Sequence, residues 1–394
     1  MLLLKYFIRA SCMVILFFPF HSAALDYSQQ VKMIGSLVHY PENSIVSPGD
    51  TSQTTNFLNY RLTFSEKFNR LSVDSHYQLI SLHNNSDTLN YQNPDKNRLF
   101  NLSSNLQNKP DQLTYHRLDR LSLTYKTNTS TFRFGRQAVT WGNGLVFNVM
   151  DIFNPFAPLS IDTEYKNGDD MIYLQTLNDS GNDWQFIYLP RRDNNGDLQN
   201  SLSSGAAKFH GIFSSTDFDF LISRHFDEQM IGLGISHAIK ESMWRLDITS
   251  TKTASNNSIT SLTSNIDYSW QSFGKNIYGF FEYYYNGFGL DKQNIAADSS
   301  LLSRLERGEI FTLYQNYLAA GLRIESHALV NISPTLIHNL TDDSQLFNLS
   351  VQYDWRQSLS LTANLIYSRG TNTSEYGGTS SPGNAFQVFL NYYF

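Results

Sequence analysis

Residues 385–394 read A-F-Q-V-F-L-N-Y-Y-F and contain the pattern that decides the fold. Apolar residues such as Phe386 and Leu390 alternate with Gln387 and Asn391, so one face of the segment is apolar and the other is mainly polar. A period of two residues is typical of a β-strand with two unlike faces. The sequence therefore predicts a strand at this end of the chain, and an edge strand of a soluble sheet is the alternative interpretation.

The final residues of this strand carry a family resemblance. Phe394 is aromatic, and Tyr392 lies two positions before it on the same face. This ending resembles the closing strand of bacterial outer-membrane barrels, although the usual signal has a small residue at the position of Phe389. In those families the terminal aromatic residue belongs to the signal that the barrel-assembly machinery reads. The resemblance implies the same role for Phe394 and Tyr392.

The other end of the chain has the pattern of a secretory signal peptide at residues 1–24. Two positive residues precede an apolar run, and small residues follow up to Ala24, which is the expected cleavage position. Cleavage would leave residues 25–394 and would remove Cys12, the single cysteine. We therefore expect an exported protein without disulfides.

Composition restricts the class of this exported protein. Loss of the two positive residues leaves 27 Lys+Arg against 35 Asp+Glu, a net charge of −8, which argues against nucleic-acid binding. After the signal peptide there is no run of 18 apolar residues that could form a transmembrane helix. The 23 Tyr and 28 Phe are nevertheless numerous. This combination fits a transmembrane barrel, in which only every second wall residue faces lipid. A soluble β-sandwich array is the competing class.

Alternating patterns predict an all-β, antiparallel up-and-down barrel of about eighteen strands, with sixteen as the alternative count. The predicted strands are Lys32–His39, Asn56–Phe64, Leu71–Leu82, Leu118–Lys126, Thr131–Thr140, Asp169–Leu177, Asp183–Leu189, Ala206–Phe213, Phe218–Phe226, Gln229–Ile239, Ser242–Thr251, Ile259–Trp270, Asn276–Tyr285, Tyr317–Ile324, Ala328–Ile337, Gln345–Trp355, Leu359–Tyr367 and Ala385–Phe394. Every second connection is short, and the long connections all fall between them. Segregation of loop length is typical of outer-membrane barrels and predicts that both termini are periplasmic.

The two faces of the predicted strands differ in charge. An Arg or Lys at mid-bilayer on the lipid face costs about 2–4 kcal/mol, so the charged face should point into the lumen. The side chains predicted to line the pore are Arg120, Lys126, Arg133, Arg245, Asp247, Asp267, Glu282, Arg323 and Asp354. The alternative for each of these charges is an ion pair that rigidifies the wall.

One long connection, residues 141–168, is too apolar for a solvated loop. We expect it to fold into the barrel mouth or lumen as a constriction, and a structural cap over neighbouring loops is the alternative. The residues assigned to the constriction are Asp151, Asp162, Glu164, Phe153 and Phe156.

Residues 132–148 read F-R-F-G-R-Q-A-V-T-W-G-N-G-L-V-F-N and carry a second, shorter resemblance. The G-R-Q triplet resembles the strand-and-loop pattern of alginate-export-like barrels and phosphate-selective porins. The resemblance implies a barrel-wall position for Gly135, Arg136 and Gln137. Strict alternation would place Arg136 on the lipid side, and a β-bulge or proximity to lipid headgroups would resolve that conflict. The mixed charges of the lumen argue against an anionic polymer as the solute.

These observations predict an outer-membrane, porin-like channel of a Gram-negative bacterium for passive diffusion of small hydrophilic solutes. One alternative is a dedicated barrel for saccharide export or uptake, with Tyr278, Phe280 and Tyr284 as a stacking track. A second is a plugged barrel that acts as an enzyme or adhesin. The expected partners are outer-membrane lipid and lipopolysaccharide, the barrel-assembly machinery and the solute, and a homo-oligomer stays open. The sequence predicts no enzyme activity, cofactor or metal.

Overall fold

A computed structural model of the protein describes residues 26–42, 44, 45, 47, 51–158, 160, 162–291 and 299–394. The predicted signal peptide, residues 1–24, lies outside the described residues. Among the described residues, no helix has both the length and the hydropathy that are needed to cross a membrane.

The described residues form nineteen β-strands and one short helix. The strands are β1 (Asp26–His39), β2 (Ser52–Phe68), β3 (Leu71–Asn84), β4 (Ser103–Asn108), β5 (Gln112–Lys126), β6 (Ser130–Gln137), β7 (Asp169–Leu177), β8 (Asp183–Leu189), β9 (Ser204–Phe213), β10 (Thr216–His225), β11 (Glu228–Ile239), β12 (Ser242–Lys252), β13 (Ser258–Ser272), β14 (Lys275–Tyr285), β15 (Asn316–His327), β16 (Val330–Asn339), β17 (Gln345–Arg356), β18 (Leu359–Arg369) and β19 (Asn384–Tyr393). The helix is α1 (Ser299–Glu306).

Eighteen of these strands close into one antiparallel barrel. Each wall strand pairs with its neighbour in the chain, and β1 closes the ring by pairing with β19 from Gln30 opposite Tyr393 to His39 opposite Asn384. Closure leaves no free sheet edge in the wall, as a bilayer requires. The predicted transmembrane barrel and its count of eighteen wall strands are confirmed. Several predicted boundaries were wrong: β1 begins at Asp26 and β2 at Ser52, earlier than predicted, whereas β6 ends at Gln137 and β16 begins at Val330.

The remaining strand, β4, was missed because its residues were assigned to a loop. It pairs with the first part of β5, from Arg117 opposite Ser103 to Leu113 opposite Asn108. The last part of β5 pairs instead with β6, starting at Leu121 opposite Arg136. β5 is therefore longer than the strand predicted from Leu118, and β4 extends the wall beyond the end of β6.

The alternation of side chains separates an apolar outer face from a polar inner face. On β18, Leu361 and Leu365 point outward and are exposed, whereas Asn364 points inward and is buried. On β19, Phe386 points outward and its neighbour Gln387 points inward. An apolar outer surface is what a barrel presents to lipid.

The two rims differ in the length of their connections. The rim that contains the start of β1 and the end of β19, here called the turn rim, has only short connections: residues 69–70, 127–129, 178–182, 214–215, 240–241, 273–274, 328–329 and 357–358. Tight turns between twisted strands favour left-handed backbone, and Asn69 has φ +57° and Gly274 has φ +69°. The opposite rim, here called the loop rim, has all of the long connections. The predicted segregation of loop length is confirmed.

Arg136 lies on the outer face of β6, and the predicted β-bulge is wrong, whereas proximity to lipid headgroups stays a prediction. β6 pairs with β5 and β7 without a register shift, so there is no bulge. The Arg136 guanidinium is fully buried, where it forms ion pairs of 2.8 Å with Asp170 on β7 and with Asp95. It also donates to the carbonyl oxygen of Phe100 at 2.8 Å. The connection between β3 and β4 therefore covers this position and neutralises its charge.

Candidate functional site

The connection between β6 and β7 spans residues 138–168. Its residues 141–168, here called the inner segment, contact side chains on the inner face of the wall. The inner segment starts with a W-G-N-G sequence, and the backbone conformation there favours glycine at both glycine positions. Gly142 has φ +89°, which disfavours other residues. A Cβ at Gly144 would lie 1.8 Å from the carbonyl oxygen of Phe147. The turn can therefore fold back on itself and present its N–H groups to the wall.

Two wall carboxylates receive those N–H groups. The Glu282 carboxylate accepts hydrogen bonds from the backbone N–H groups of Leu145, Val146 and Phe147, at 2.6, 3.0 and 2.8 Å. The Asp247 carboxylate accepts from the backbone N–H and the side-chain amide of Asn143, at 2.5 and 2.8 Å. Both wall carboxylates are fully buried. The start of the inner segment is thus bound to β12 and β14 by neutral donors.

Apolar side chains of the inner segment reinforce this attachment. Phe147 stacks on Tyr284 with ring centroids 4.5 Å apart and an angle of 13°, and it also touches Tyr317. Phe153, which was assigned to the constriction, is buried against Trp141, with centroids 5.6 Å apart. A fully buried side chain of this size contributes about 1.5–3 kcal/mol relative to an exposed one. Aromatic packing and hydrogen bonds to buried carboxylates therefore hold the same part of the inner segment.

The far end of the inner segment is held by ion pairs. Lys32 on β1 lies 2.7 Å from Asp162 and 2.8 Å from Glu164. Asp151 is buried and bonds Lys166 of the same segment at 2.5 Å. Burial raises the pKa of Asp151 to about 6, against the opposing effect of Lys166. Of the residues assigned to the constriction, Asp162 and Glu164 are thus paired with the wall and Asp151 is paired internally.

The nine side chains predicted to line the pore all belong to the inner face of the wall. Asp247 and Glu282 bind the inner segment, and Arg245 pairs with Asp267 at 2.8 Å. Arg120 pairs with Asp119 at 3.2 Å. The remaining members lie on β5, β6, β15 and β17: Lys126, Arg133, Arg323 and Asp354.

Arg61 on β2 and Arg117 on β5, which form a cluster with the predicted Arg120, were missed by sequence reasoning. Asp119 is buried and lies 3.1 Å from Arg61, 3.4 Å from Arg117 and 3.2 Å from Arg120. A register shift opposite His76 turns Asp119 into the cluster, although alternation would place it on the lipid side. Three guanidinium groups thus share one carboxylate, which leaves this side of the barrel with an excess of positive charge.

A cavity of about 530 Å³ lies between this arginine cluster and the inner segment. Arg61 and Arg117 line it from the wall, and Tyr165, Lys166 and the half-buried Phe156 line it from the segment. The Arg61 guanidinium lies over the ring of Tyr165 at 4.0 Å, which is cation–π geometry. This cavity is therefore lined mainly by cationic and aromatic side chains, and the carboxylate of Asp162, which also lines it, is paired with Lys32.

A second cavity of about 640 Å³ lies toward the loop rim and contains a charged group around Glu309. Glu309 accepts from Arg304 of α1 at 2.7 Å, from Arg307 at 3.0 Å and from His225 at 3.1 Å. Burial alone would raise its pKa, but the hydrogen bonds and charges of His225 and Arg307 lower the pKa of Glu309 to about 2. This carboxylate is held by cations.

Ser204, His225 and Glu309 form a hydrogen-bonded chain that has the composition of a hydrolytic triad. The Ser204 hydroxyl lies 2.7 Å from His225 Nδ1, and Glu309 lies 3.1 Å from Nε2. Ser204 is 1% exposed and does not line the cavity. The hydroxyl cannot be reached by a substrate in this arrangement, so the chain does not support a hydrolase.

Glu375, between β18 and β19, has entirely neutral donors. It accepts from the hydroxyl of Tyr317 at 2.6 Å, from the side-chain amide of Asn339 at 2.8 Å and from the backbone N–H of Leu313 at 2.9 Å. Burial raises the pKa of Glu375 to about 7. This group joins three elements of the loop rim beside the attachment of the inner segment.

The aromatic residues of the saccharide alternative are not arranged as an open track. Tyr284 is buried beneath Phe147. The hydroxyl of Tyr278 donates to Asp267 at 3.0 Å. The Phe280 ring is close enough to Gly321 that a Cβ there would lie 2.4 Å away, so this ring packs on the wall.

Comparison with solved structures supports the fold. No protein-family model matches the chain. No curated protein sequence matches it either. Acinetobacter baumannii OccAB1 superposes with a TM-score of 0.55 at 10% identity, covering 94% of this chain and 96% of its own. Pseudomonas aeruginosa OccK8 (OprE) gives 0.52 at 9% identity, with 94% and 98% covered. Pseudomonas aeruginosa OpdK, solved with vanillate, gives 0.52 at 10% identity, with 94% and 98% covered.

These similarities cover nearly the whole barrel and therefore establish its architecture. The expected resemblance to outer-membrane porin-like barrels is confirmed at the level of the fold. At this identity, individual residues cannot be transferred from those proteins, so the roles of the side chains rest on the contacts described above.

Proposed function

We propose that the protein is an outer-membrane channel through which small hydrophilic solutes diffuse passively. The observation that carries this proposal is the cavity between the inner segment and the arginine cluster, inside a closed barrel with an apolar outer face. A polar lumen replaces part of a solute's hydration and so lowers the barrier to passage. A similar fold belongs to OpdK, which is described as an outer membrane protein.

In this proposal the inner segment is the constriction and the turn rim faces the periplasm. Short turns on the periplasmic side and long loops on the outer side are the usual arrangement of such barrels. Both ends of the strand ladder would then be periplasmic. Phe394, which is 67% exposed, and Tyr392, with ring centroids 4.6 Å apart, would form the signal that the assembly machinery reads.

The charges around the cavity favour small anionic solutes. Arg61, Arg117 and Arg120 have only Asp119 as a shared partner. An excess of one charge in a narrow, low-dielectric passage concentrates solutes of the opposite charge. OpdK was solved with vanillate, an aromatic carboxylate. Arg61 and Tyr165 would provide a cation and an aromatic ring for a solute of that class.

Single-channel recording of refolded residues 25–394 in a planar bilayer tests the proposal. We expect steady conductance and a reversal potential that indicates anion preference in a salt gradient. Arg117→Gln should lower the anion-to-cation permeability ratio severalfold, because it removes one of the excess charges. Arg323→Gln, on the inner face of β15, is the matched control and should change the ratio less.

A silent bilayer with a barrel that shows its heat-modifiable gel shift would contradict the channel. Equal effects of Arg117→Gln and Arg323→Gln would instead contradict the role of the arginine cluster. Reduction of the current by vanillate, but not by an uncharged phenol of the same size, would support the anionic solute class.

A further inference from the structure

We propose that Glu282 is the positioning residue that holds the inner segment against the wall, with Asp247 as a second and weaker anchor. This inference deepens the proposed function, since the inner segment sets the width of the passage in that proposal. Its test does not depend on conductance.

The geometry at Glu282 is that of an anion site made by the backbone. Its Oε1 accepts from Val146 at 3.0 Å and from Phe147 at 2.8 Å. Its Oε2 accepts from Leu145 at 2.6 Å and from the side-chain amide of Asn265 at 3.1 Å. Successive N–H groups that converge on one point form a concavity that binds anions. Here the anion comes from the wall, and the segment forms its cradle.

A carboxylate is required at this position because every group around it is a donor. Glutamine has nearly the same shape, but it replaces one acceptor oxygen with an NH2 group. That NH2 would face N–H groups, so at least one buried donor would lose its partner. Hydrogen bonds to charged groups are also stronger than neutral ones. Glu282→Gln should therefore release the segment without changing the volume of the side chain.

Asp247 has fewer donors. It accepts one backbone N–H and one side-chain amide from Asn143, whereas Glu282 accepts three backbone N–H groups and one side-chain amide. The approach also depends on Gly234, since a Cβ there would lie 2.8 Å from Asp247 Oδ1 and 3.0 Å from the Asn143 side-chain nitrogen. Gly234→Ala would thus separate the anchor from the segment while keeping every charge.

The competing explanation is that aromatic packing alone positions the segment. Phe147 stacks on Tyr284, so removal of that ring should also loosen the segment to some extent. The two explanations predict opposite orders for the effects of Glu282→Gln and Tyr284→Ala on the position of the segment. If the carboxylate holds the segment, Glu282→Gln should have a larger effect than Tyr284→Ala.

The rate at which a maleimide labels an engineered cysteine measures the release directly. Residues 25–394 have no cysteine, and Leu145 is 39% exposed, so Leu145→Cys reports on the segment. In this background Glu282→Gln should raise the labelling rate about tenfold, equivalent to about 1.4 kcal/mol. Asp354→Asn is the matched control, because it removes an inner-face carboxylate that bonds Gln352 of its own strand. It should leave the rate unchanged.

A second reporter separates local release from general loosening. Leu302→Cys lies on α1, where Leu302 is 53% exposed, and its labelling rate should not respond to Glu282→Gln. Equal acceleration at both reporters would overturn the proposal, as would a larger effect of Tyr284→Ala than of Glu282→Gln. If Glu282→Gln fails to fold, Glu282→Asp provides the same test, because it keeps the charge but withdraws the carboxylate by one methylene from the three N–H groups, and an unchanged rate there would also overturn the proposal. Gly234→Ala tests only the second anchor, Asp247.

The two proposals fail in different ways. A silent bilayer with accelerated labelling in Glu282→Gln would reject the channel and keep the anchor. A conducting wild type with unchanged labelling in Glu282→Gln would reject the anchor and keep the channel.

Discussion

Buried carboxylates have different kinds of partners on two sides of the barrel interior. On the anchored side, which comprises β12 to β16 and the connection after β18, Glu282 and Glu375 accept hydrogen bonds from neutral N–H and O–H groups. On the cationic side, which comprises β2, β5 and the group around α1, Asp119 and Glu309 are surrounded by arginines. The difference shows how the start of the inner segment can be fixed without consuming positive charge, although its far end pairs with Lys32. Neutral donors hold it on one side, and the guanidinium groups on the other side remain beside open space.

The largest expected effect on the free energy of unfolding comes from removing the buried carboxylate of the cationic side. Asp119→Asn removes the one carboxylate shared by three arginines, and loss of one partner of a buried pair costs about 3–5 kcal/mol. The free energy of unfolding, measured with urea in lipid vesicles by tryptophan fluorescence, should fall by that amount. Asp74→Asn is the control, because Asp74 bonds only Ser65 among the side-chain contacts described for it. A small effect of Asp119→Asn would mean that the arginines are hydrated.

The second prediction concerns the neutral donors of Glu375. Its pKa is raised from 4.5 to about 7 in the folded barrel, so the folded state binds a proton that the unfolded state releases. The stability that it contributes is therefore present below pH 4.5 and is lost as pH rises through 7. The loss should be about 3 kcal/mol, and Glu375→Gln should abolish this part of the pH dependence. A pH profile identical in both proteins would contradict the assignment.

Glu309 should show the opposite dependence. Its pKa is lowered from 4.5 to about 2, so its contribution is present above pH 4.5 and is lost as pH falls through 2. Wild type and Glu309→Gln should differ by about 2–3 kcal/mol at neutral pH and should converge under acid conditions. Parallel profiles of the two proteins would show that the arginines do not act on this carboxylate in solution.

The smallest expected effect tests packing on the anchored side. Phe147→Leu keeps an apolar side chain but removes the stacked pair with Tyr284, which should cost about 1 kcal/mol in unfolding free energy. Phe156→Leu is the control, because Phe156 is half-buried beside the cavity and should cost less. Equal losses would indicate that the stack adds nothing beyond burial.

The wall of the barrel could be predicted from the sequence because it depends on local alternation. In each strand, apolar residues that face outward alternate with polar residues that face the lumen, so its own sequence predicts both faces. The segregation of loop lengths indicated the two rims. Strand β4 was missed since its sequence, S-S-N-L-Q-N, has no clear apolar face. The register shift at His76 was also missed, because a bulge changes the face of Asp119 without a local signal.

The contacts inside the barrel could be predicted only in part. Alternation was sufficient to place Glu282 and Asp247 on the inner face, but their partners lie more than 100 residues away in the chain. The sequence L-V-F at residues 145–147 contains no pattern that predicts the convergence of its backbone N–H groups on one carboxylate. The conflict at Arg136 had a similar cause, because its partners Asp170 and Asp95 come from a neighbouring strand and a distant loop.

The attachments of the inner segment have a mechanical consequence. Asp247 holds one part of the segment to β12, and Lys32 on β1 holds another part through Asp162 and Glu164. In a ring of eighteen strands, β1 and β12 lie nearly opposite each other. Glu164 also accepts from Tyr393 of β19, so the far attachment spans the seam where the first and last strands meet. The segment therefore connects opposite sides of the barrel and resists flattening of its cross-section. It also links β1 and β19, the two strands whose pairing closes the barrel.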